Sequence, residues 1–188
     1  MNFEITKEQK QLRREIISFA KENLNDPEYY EKYSPEMFRK TAEFGILGIT
    51  VDEKYGGLNE SYLTAAIAFE ALGYACKNNG FIFVVNNHIW VCQNLISLYG
   101  SDELKEKYLY DMVEGKKIGA IAITEAESGS DAMSMRTTAR EEGDHYVLNG
   151  SKMFISNGPI ADVFVVYALT ESEPQKKYTA FVVEKTFE

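Results

Sequence analysis

Twenty-nine acidic side chains against twenty basic ones give this 188-residue chain a formal net charge of −9. Its basic residues form nothing longer than adjacent pairs such as Lys116-Lys117 and Lys176-Lys177, which argues against a nucleic-acid or anionic-membrane surface, since both need concentrated positive charge. A hydrophobic fraction of 45% over this length is enough to bury a core in one or two domains.

Met1-Asn2-Phe3-Glu4 has no basic region leading into an apolar one, and it carries an acid where transit peptides avoid them, so a cytoplasmic protein is expected. Thr6 with Gln9 reads as a capping box, and Leu12, Ile16, Phe19, Ala20 and Leu24 recur on one helical face behind it. Ser34-Pro35 starts a second helix, with Ser as cap and Pro at the first helical position, closing at Gly45. A third helix is predicted from about Ser61 to Leu72, a fourth over 81–99, and a fifth from Ser101-Asp102-Glu103 to about Glu114. The fourth, "FIFVVNNHIWVCQNLISLYG", is apolar enough to raise a membrane reading. Asn86, Asn87, His88, Gln93 and Asn94 interrupt it, and such groups are costly in hydrocarbon, so a buried helix is expected. His88 has no second ligand at metal spacing and reads as a core histidine. Cys76 and Cys92 read as buried thiols.

Past Gly115 the period changes from helical to alternating. "GAIAITE" reads as a strand, "TTAREEGDHYVLNG" as a hairpin around Gly143-Asp144, and Asn149-Gly150 as a turn leading into a further strand, "SKMFIS". "DVFVVYAL" and "YTAFVVE" are two more strands. The fold class expected is α+β: an all-α helical bundle over residues 1–117, then an antiparallel β domain over 118–188.

Two segments carry candidate chemistry. "AITEAESGSD", residues 122–131, ends a strand and then collects Thr124, Ser128, Gly129, Ser130 and their backbone amides, groups that suit phosphate or carbonyl oxygens but also suit a plain polar turn. In "KMFISNG", residues 152–158, strand alternation would put Phe154 and Ser156 on one side, where a ring and a hydroxyl could meet a flat cofactor or simply pack.

"AITEAESGSDAMS" resembles the signature of the acyl-CoA dehydrogenase family: small, aliphatic, Ser/Thr, Glu, two free positions, small, Gly, Ser/Thr, Asp, two free positions, small. "LNGSKMFISNG" is similar to that family's "NGxKxWITNG" segment, and "VDEKYGGLN" to its "PEEYGGxG" loop. Three motifs in the right order extend the resemblance over the whole chain.

The resemblance implies FAD as cofactor and α,β-dehydrogenation of an acyl-CoA or carrier-protein-bound acyl thioester. It places Ile121, Ile123 and Thr124 along the flavin ring, with Thr124 at the pyrimidine edge. Gly129 and Ser130 fall near the flavin phosphates, with Ser130 also at the substrate thioester. Phe154, Ile155 and Ser156 flank the ring, with Ser156 toward the flavin N5. Phe154 stands where the family has Trp, and keeps the stacking face while losing the indole donor. Ser156 stands where it has Thr. Ala126 and Glu127 replace a usual Pro and Gly, implying a looser and more negative loop that bears on substrate preference.

The resemblance also implies a catalytic Glu in a C-terminal helical domain beyond residue 188, so no catalytic residue and no metal ligand is assigned in this chain, and Glu125 is given a structural role. It further implies an electron-transfer flavoprotein or oxygen as electron acceptor, fatty acid metabolism as the setting and a homo-oligomer that is tetrameric at full length; from the charge balance, no nucleic-acid or membrane partner is expected. The alternatives are a flavin monooxygenase or nitroalkane-oxidising relative on the same fold, and a non-catalytic truncated module that binds partners.

Overall fold

The computed structural model describes residues 4–171 and 175–187, so Met1–Phe3, part of the stretch read for a leader, lie outside them. The chain divides into two compact units, Met1–Lys116 and Lys117–Glu188.

The first unit is helical. Helix α1 (Lys7–Asn23) opens on the expected capping box: the Gln9 amide donates to Thr6 Oγ1 at 3.2 Å and the Thr6 amide to Gln9 Oε1 at 3.0 Å. Ile16, Ala20 and Leu24 from its apolar face are fully buried. Helix α2 (Pro35–Glu43) is capped by Ser34, and α3 (Tyr62–Ala75) by Ser61, each accepting from the amide three residues on. Helices α4 (Asn79–Asn86) and α5 (Asn94–Tyr99) are joined by a π-helical stretch, Asn87–Gln93, and α6 (Asp102–Val113) ends the unit. The π stretch was not expected; at its N-terminal border the Asn86 and Asn87 side chains donate to the carbonyls of Ile82 and Phe83 four residues back, beside the backbone ladder. The continuous Asn79–Tyr99 helix is long and apolar enough to cross a membrane by length and composition alone. It nonetheless lays His88 and Gln93 into the core of the helical unit at zero exposure. In the "VDEKYGGLN" loop a Cβ on Gly57 would lie 2.0 Å from the Val51 carbonyl oxygen, so only glycine lets the chain double back there.

The second unit is a five-stranded sheet: β1 (Gly119–Ala122), β2 (Thr138–Glu142), β3 (His145–Asn149), β4 (Val163–Glu171) and β5 (Lys177–Glu184). The expected hairpin is present, with β2 and β3 antiparallel across Gly143-Asp144 and Gly143 at φ +68°. β5 pairs antiparallel along β4. The expected all-antiparallel sheet is instead mixed, since β1 runs parallel to β4 from Gly119↔Val163 to Ala122↔Val166, and β2 meets β4 in the parallel sense at Thr138↔Leu169. Alternation of side chains fixes which face is buried and carries no information on strand direction, which here follows from the long connection between β1 and β4.

The segment "SKMFIS" is not a strand. Asn149 ends β3 as a ladder residue, and Phe154 and Asn157 take left-handed backbone conformations, φ +57° and +65°, which break the pleat. Gly150 is required by close approach, because a Cβ there would fall 2.4 Å from Thr137 Oγ1 and 2.7 Å from Thr137 Cα.

His88 is a buried titratable group of the helical unit. Its Nε2 lies 3.1 Å from the Met112 carbonyl oxygen, and its ring meets Phe38 edge-on at 5.2 Å. Burial pushes its pKa down to about 4, against a weaker upward pull from the Met112 carbonyl. The folded value lies below the ordinary 6.5, so the unfolded chain takes up this proton first. The contribution is therefore intact above pH 6.5 and lost as the pH falls toward 4, by about 3 kcal/mol. Urea unfolding across that window is expected to show the loss, and His88→Gln is expected to remove most of the slope; an unchanged slope would place the titration elsewhere.

Candidate functional site

The candidate site lies within the sheet unit, where β1 ends. Past Ala122 the chain leaves the ladder, and Glu125 and Ser128 close a tight turn by exchanging backbone hydrogen bonds of 3.0 and 3.2 Å. Ser128 is buried and its Oγ donates to the Asp131 carbonyl at 2.8 Å. Ser134 Oγ and the Ser134 amide donate to the same carbonyl, which holds a single 3₁₀ turn over Ala132–Ser134. The Tyr178 hydroxyl, from β5, donates to the Met133 carbonyl and ties the loop to the sheet.

Segment 152–158 runs back along β1. The Met153 amide donates to the Thr124 carbonyl at 2.8 Å, and Asn157 Nδ2 to the Gly119 carbonyl at 3.1 Å. This apposition brings Phe154, Ile155 and Ser156 alongside Ile121, Ile123 and Thr124, which are half-buried. Ile155 and Ser156 are half-buried as well, while the Phe154 ring is 87% exposed. Among the described residues no hydrogen bond engages the hydroxyls of Thr124, Ser130 or Ser156. Gly129 and Ser130 sit exposed at the tip of the 125–131 loop, and no hydrogen bond among the described residues joins them to the 154–156 turn. A Cβ on Gly129 would meet no atom within 4 Å, and its φ is not positive, so nothing inside this chain demands glycine there. Six of the eight expected residues thus share one strip, and two stand at a neighbouring loop tip.

Glu125 has the structural role expected of it. Its Oε2 accepts the Arg136 amide at 2.6 Å, and its Oε1 accepts the Thr137 amide and the Lys152 ammonium, each at 2.9 Å. Both side chains of the Glu125–Lys152 pair are about nine-tenths buried. Burial by itself raises the carboxyl, and the donors from Thr137, Arg136 and Lys152 outweigh it, holding the pKa at about 2. The charge expected to make the loop more negative, Glu127, is paired with Arg136, an exposed contact of small energetic weight.

Lys152 and Asn157 were not singled out from sequence. Both lie inside the motif segment, yet nothing in a linear pattern shows that Lys152 reaches a carboxylate 27 residues away or Asn157 a carbonyl 38 residues away. Among the described residues, no group of three or more His, Cys, Asp or Glu comes together to hold a metal.

Comparison with known proteins identifies the class. Residues 6–116 match the acyl-CoA dehydrogenase N-terminal domain, and residues 120–188 match the middle domain of the same enzymes. The chain belongs to the acyl-CoA dehydrogenase family. It is 38% identical, over all of its length, to a short-chain-specific acyl-CoA dehydrogenase of Clostridium acetobutylicum, of which it covers 50%. Among solved structures it is similar to the prolyl acyl carrier protein oxidase AnaB, with a TM-score of 0.91 and 39% identity over 96% of this chain and 49% of that one. It is equally similar to PigA in its FAD complex, with a TM-score of 0.91 and 35% identity over 99% of this chain and 50% of that one. The chain spans about half the length of the relatives it matches.

The clamp sets a pH dependence of the same direction as that of His88, in a more acidic window. The folded pKa of Glu125 lies below the ordinary 4.5, so its contribution is intact above pH 4.5 and lost as the pH falls toward 2. Glu125→Gln leaves one backbone donor without an acceptor and Lys152 without its counter-charge, and is expected to cost about 1–3 kcal/mol at pH 7. The same variant is expected to flatten the acid limb of stability between pH 4.5 and 2, as measured by denaturant titration. A variant as stable as the parent would show that the clamp carries no energy.

Proposed function

We propose that this chain forms the flavin-facing portion of an FAD-dependent dehydrogenase that introduces a double bond between the α and β carbons of an acyl thioester. The observation that carries the proposal is Phe154, an aromatic side chain held at φ +57° with its ring 87% exposed, beside the Thr124 and Ser156 segments. A left-handed conformation costs a non-glycine residue about 1–3 kcal/mol, and such strain concentrates at ligand sites. The open position at Gly129 fits the same group, because it leaves room for close approach of a phosphate or thioester to the backbone.

In this reading the bound flavin supplies the hydride acceptor. The Phe154 ring offers a stacking face, while the Thr124 and Ser156 hydroxyls hydrogen-bond the polar edges of the ring system. Ile121, Ile123 and Ile155 give it an apolar flank that limits water, and Ser130 and Gly129 meet phosphate or thioester oxygens. Glu125 is committed to two backbone amides and Lys152, so it does not take the α proton. We assign that proton to a carboxylate outside residues 1–188. Similarity to both an acyl-CoA dehydrogenase and a carrier-protein oxidase supports two thioester classes, CoA-linked and carrier-linked, and correspondingly an electron-transfer flavoprotein or oxygen as acceptor. A homo-oligomeric cytoplasmic enzyme of fatty acid metabolism completes the proposal.

FAD titration of the full-length protein tests the cofactor, and stoichiometric binding is the expected result. Ser156→Ala is expected to slow flavin reduction by an acyl thioester about tenfold or more while changing FAD affinity less, because its hydroxyl matters most as charge develops in the reaction. An unchanged reduction rate in stopped flow removes Ser156 from the chemistry. Gly129→Ala is expected to leave the melting temperature unchanged and weaken FAD or thioester binding.

A further inference from the structure

Strand β1 ends at Ala122, so the carbonyls of Ile123 and Thr124 lose the partners a sheet ladder would give them. Two consecutive residues of the facing segment replace those partners. The Lys152 ammonium donates to the Ile123 carbonyl at 2.9 Å, and the Met153 amide donates to the Thr124 carbonyl at 2.8 Å. The same ammonium donates to Glu125 Oε1 at 2.9 Å and lies 3.8 Å from Met135 Sδ. An exposed lysine holds a partner weakly and in many rotamers, whereas this one is 10% exposed and engaged on several sides. At the other end of the turn, Asn157 is bound to the Gly119 carbonyl. The left-handed Phe154 sits two residues after Lys152 and one after Met153. Its placement beside Thr124 therefore depends on how firmly these two residues grip the end of β1.

We propose that Lys152 is a positioning residue for the flavin site: it fixes the 153–156 turn against residues 123–124, and so sets the spacing of the Thr124 and Ser156 hydroxyls along the ring edge. The flavin-facing part of this assignment rests on the function proposed above; the tether between the two segments does not. A lysine suits the task because one ammonium can satisfy a bare carbonyl and a carboxylate together, while an apolar residue of equal volume would leave the Ile123 carbonyl without that donor.

The test uses the full-length protein and Lys152→Met, which keeps the length of the side chain and removes its donors, with Lys152→Arg restoring a cation. Three quantities are read: hydrogen exchange at the Met153 amide without FAD, the Kd for added FAD, and the visible circular dichroism of bound FAD. In Lys152→Met the Met153 amide is expected to exchange at least tenfold faster while β4 amides keep their protection. The Kd for FAD is expected to rise tenfold or more, with an altered flavin dichroism at saturating FAD. Lys152→Arg is expected to recover most of each change. If β4 amides also lose protection, Glu125→Gln combined with Lys152→Met, which leaves no unpaired charge, takes the place of the single variant. Unchanged Met153 exchange overturns the tether. Faster exchange with unchanged Kd and dichroism overturns the positioning role and leaves Lys152 a support of the fold. A parent protein that takes up no FAD overturns the flavin reading and with it the flavin-facing role, while faster Met153 exchange in that case still establishes the tether, so the two failures are distinguishable.

Discussion

One ion pair organises the part of the sheet unit where no ladder operates. Glu125 and Lys152 are each about nine-tenths buried, and bringing two charges out of water costs several kcal/mol per ion unless their remaining hydrogen-bonding capacity is met. Here it is met largely by backbone: the carboxylate takes the amides of Arg136 and Thr137, and the ammonium takes the carbonyl of Ile123. The pair therefore joins three segments, 123–125, 136–137 and 152, that no strand pairing holds in register. An apolar pair of similar size could fill the same space, but it would leave those amides and that carbonyl unpaired and would specify no register. Direction, more than energy, is what the charges contribute at this point in the fold.

The same constraint explains how much could be read from the sequence. The helices were legible because their starts are local events: Thr6 with Gln9, Ser34 before Pro35 and Ser61 three residues before Thr64 each satisfy amides within one turn. The strands β2 and β3 were legible through Gly143-Asp144 for the same reason. The π stretch at Asn87–Gln93 was not, since one additional residue in a turn barely disturbs the apolar pattern of an otherwise buried helix. The parallel pairing of β1 with β4 was not legible either, because a pattern of period two is identical in both directions.

At the site, the residue types were legible and their arrangement was not. The site positions from Ile121 to Ser130 and from Phe154 to Ser156 come from the resemblance to the acyl-CoA dehydrogenase motifs, and the structure sets six of them on one strip. Treating 152–158 as a strand failed because its conformation is imposed from outside the segment, by Thr124, Gly119 and Glu125. Alternation would have set Phe154 and Ser156 on one face; a positive φ at Phe154 removes the basis for that inference. Glu125 could be given a structural role from its place in the motif, but its partner is 27 residues distant and carries no local mark.

Two left-handed residues three positions apart, Phe154 and Asn157, separate strain with an internal cause from strain without one. Asn157 tolerates φ +65° as a short polar residue; its Nδ2 bonds the Gly119 carbonyl, and its own carbonyl accepts the amides of Ile160 and Ala161. The turn repays its conformation within the chain. Phe154 has an aromatic ring, a type that avoids this region, and it gains no burial from it. Gly129 is the converse case, a glycine whose backbone any residue could adopt and whose Cβ direction is empty. At Phe154 a local rule is broken with nothing inside the unit to compensate, and at Gly129 nothing inside the unit requires glycine. Where sequence and structure disagree in that way, the compensation is expected from a group the chain binds. In the function proposed above, Asn157 and Lys152 form the frame, and Phe154 and Gly129 are the positions left open to the flavin and its phosphates.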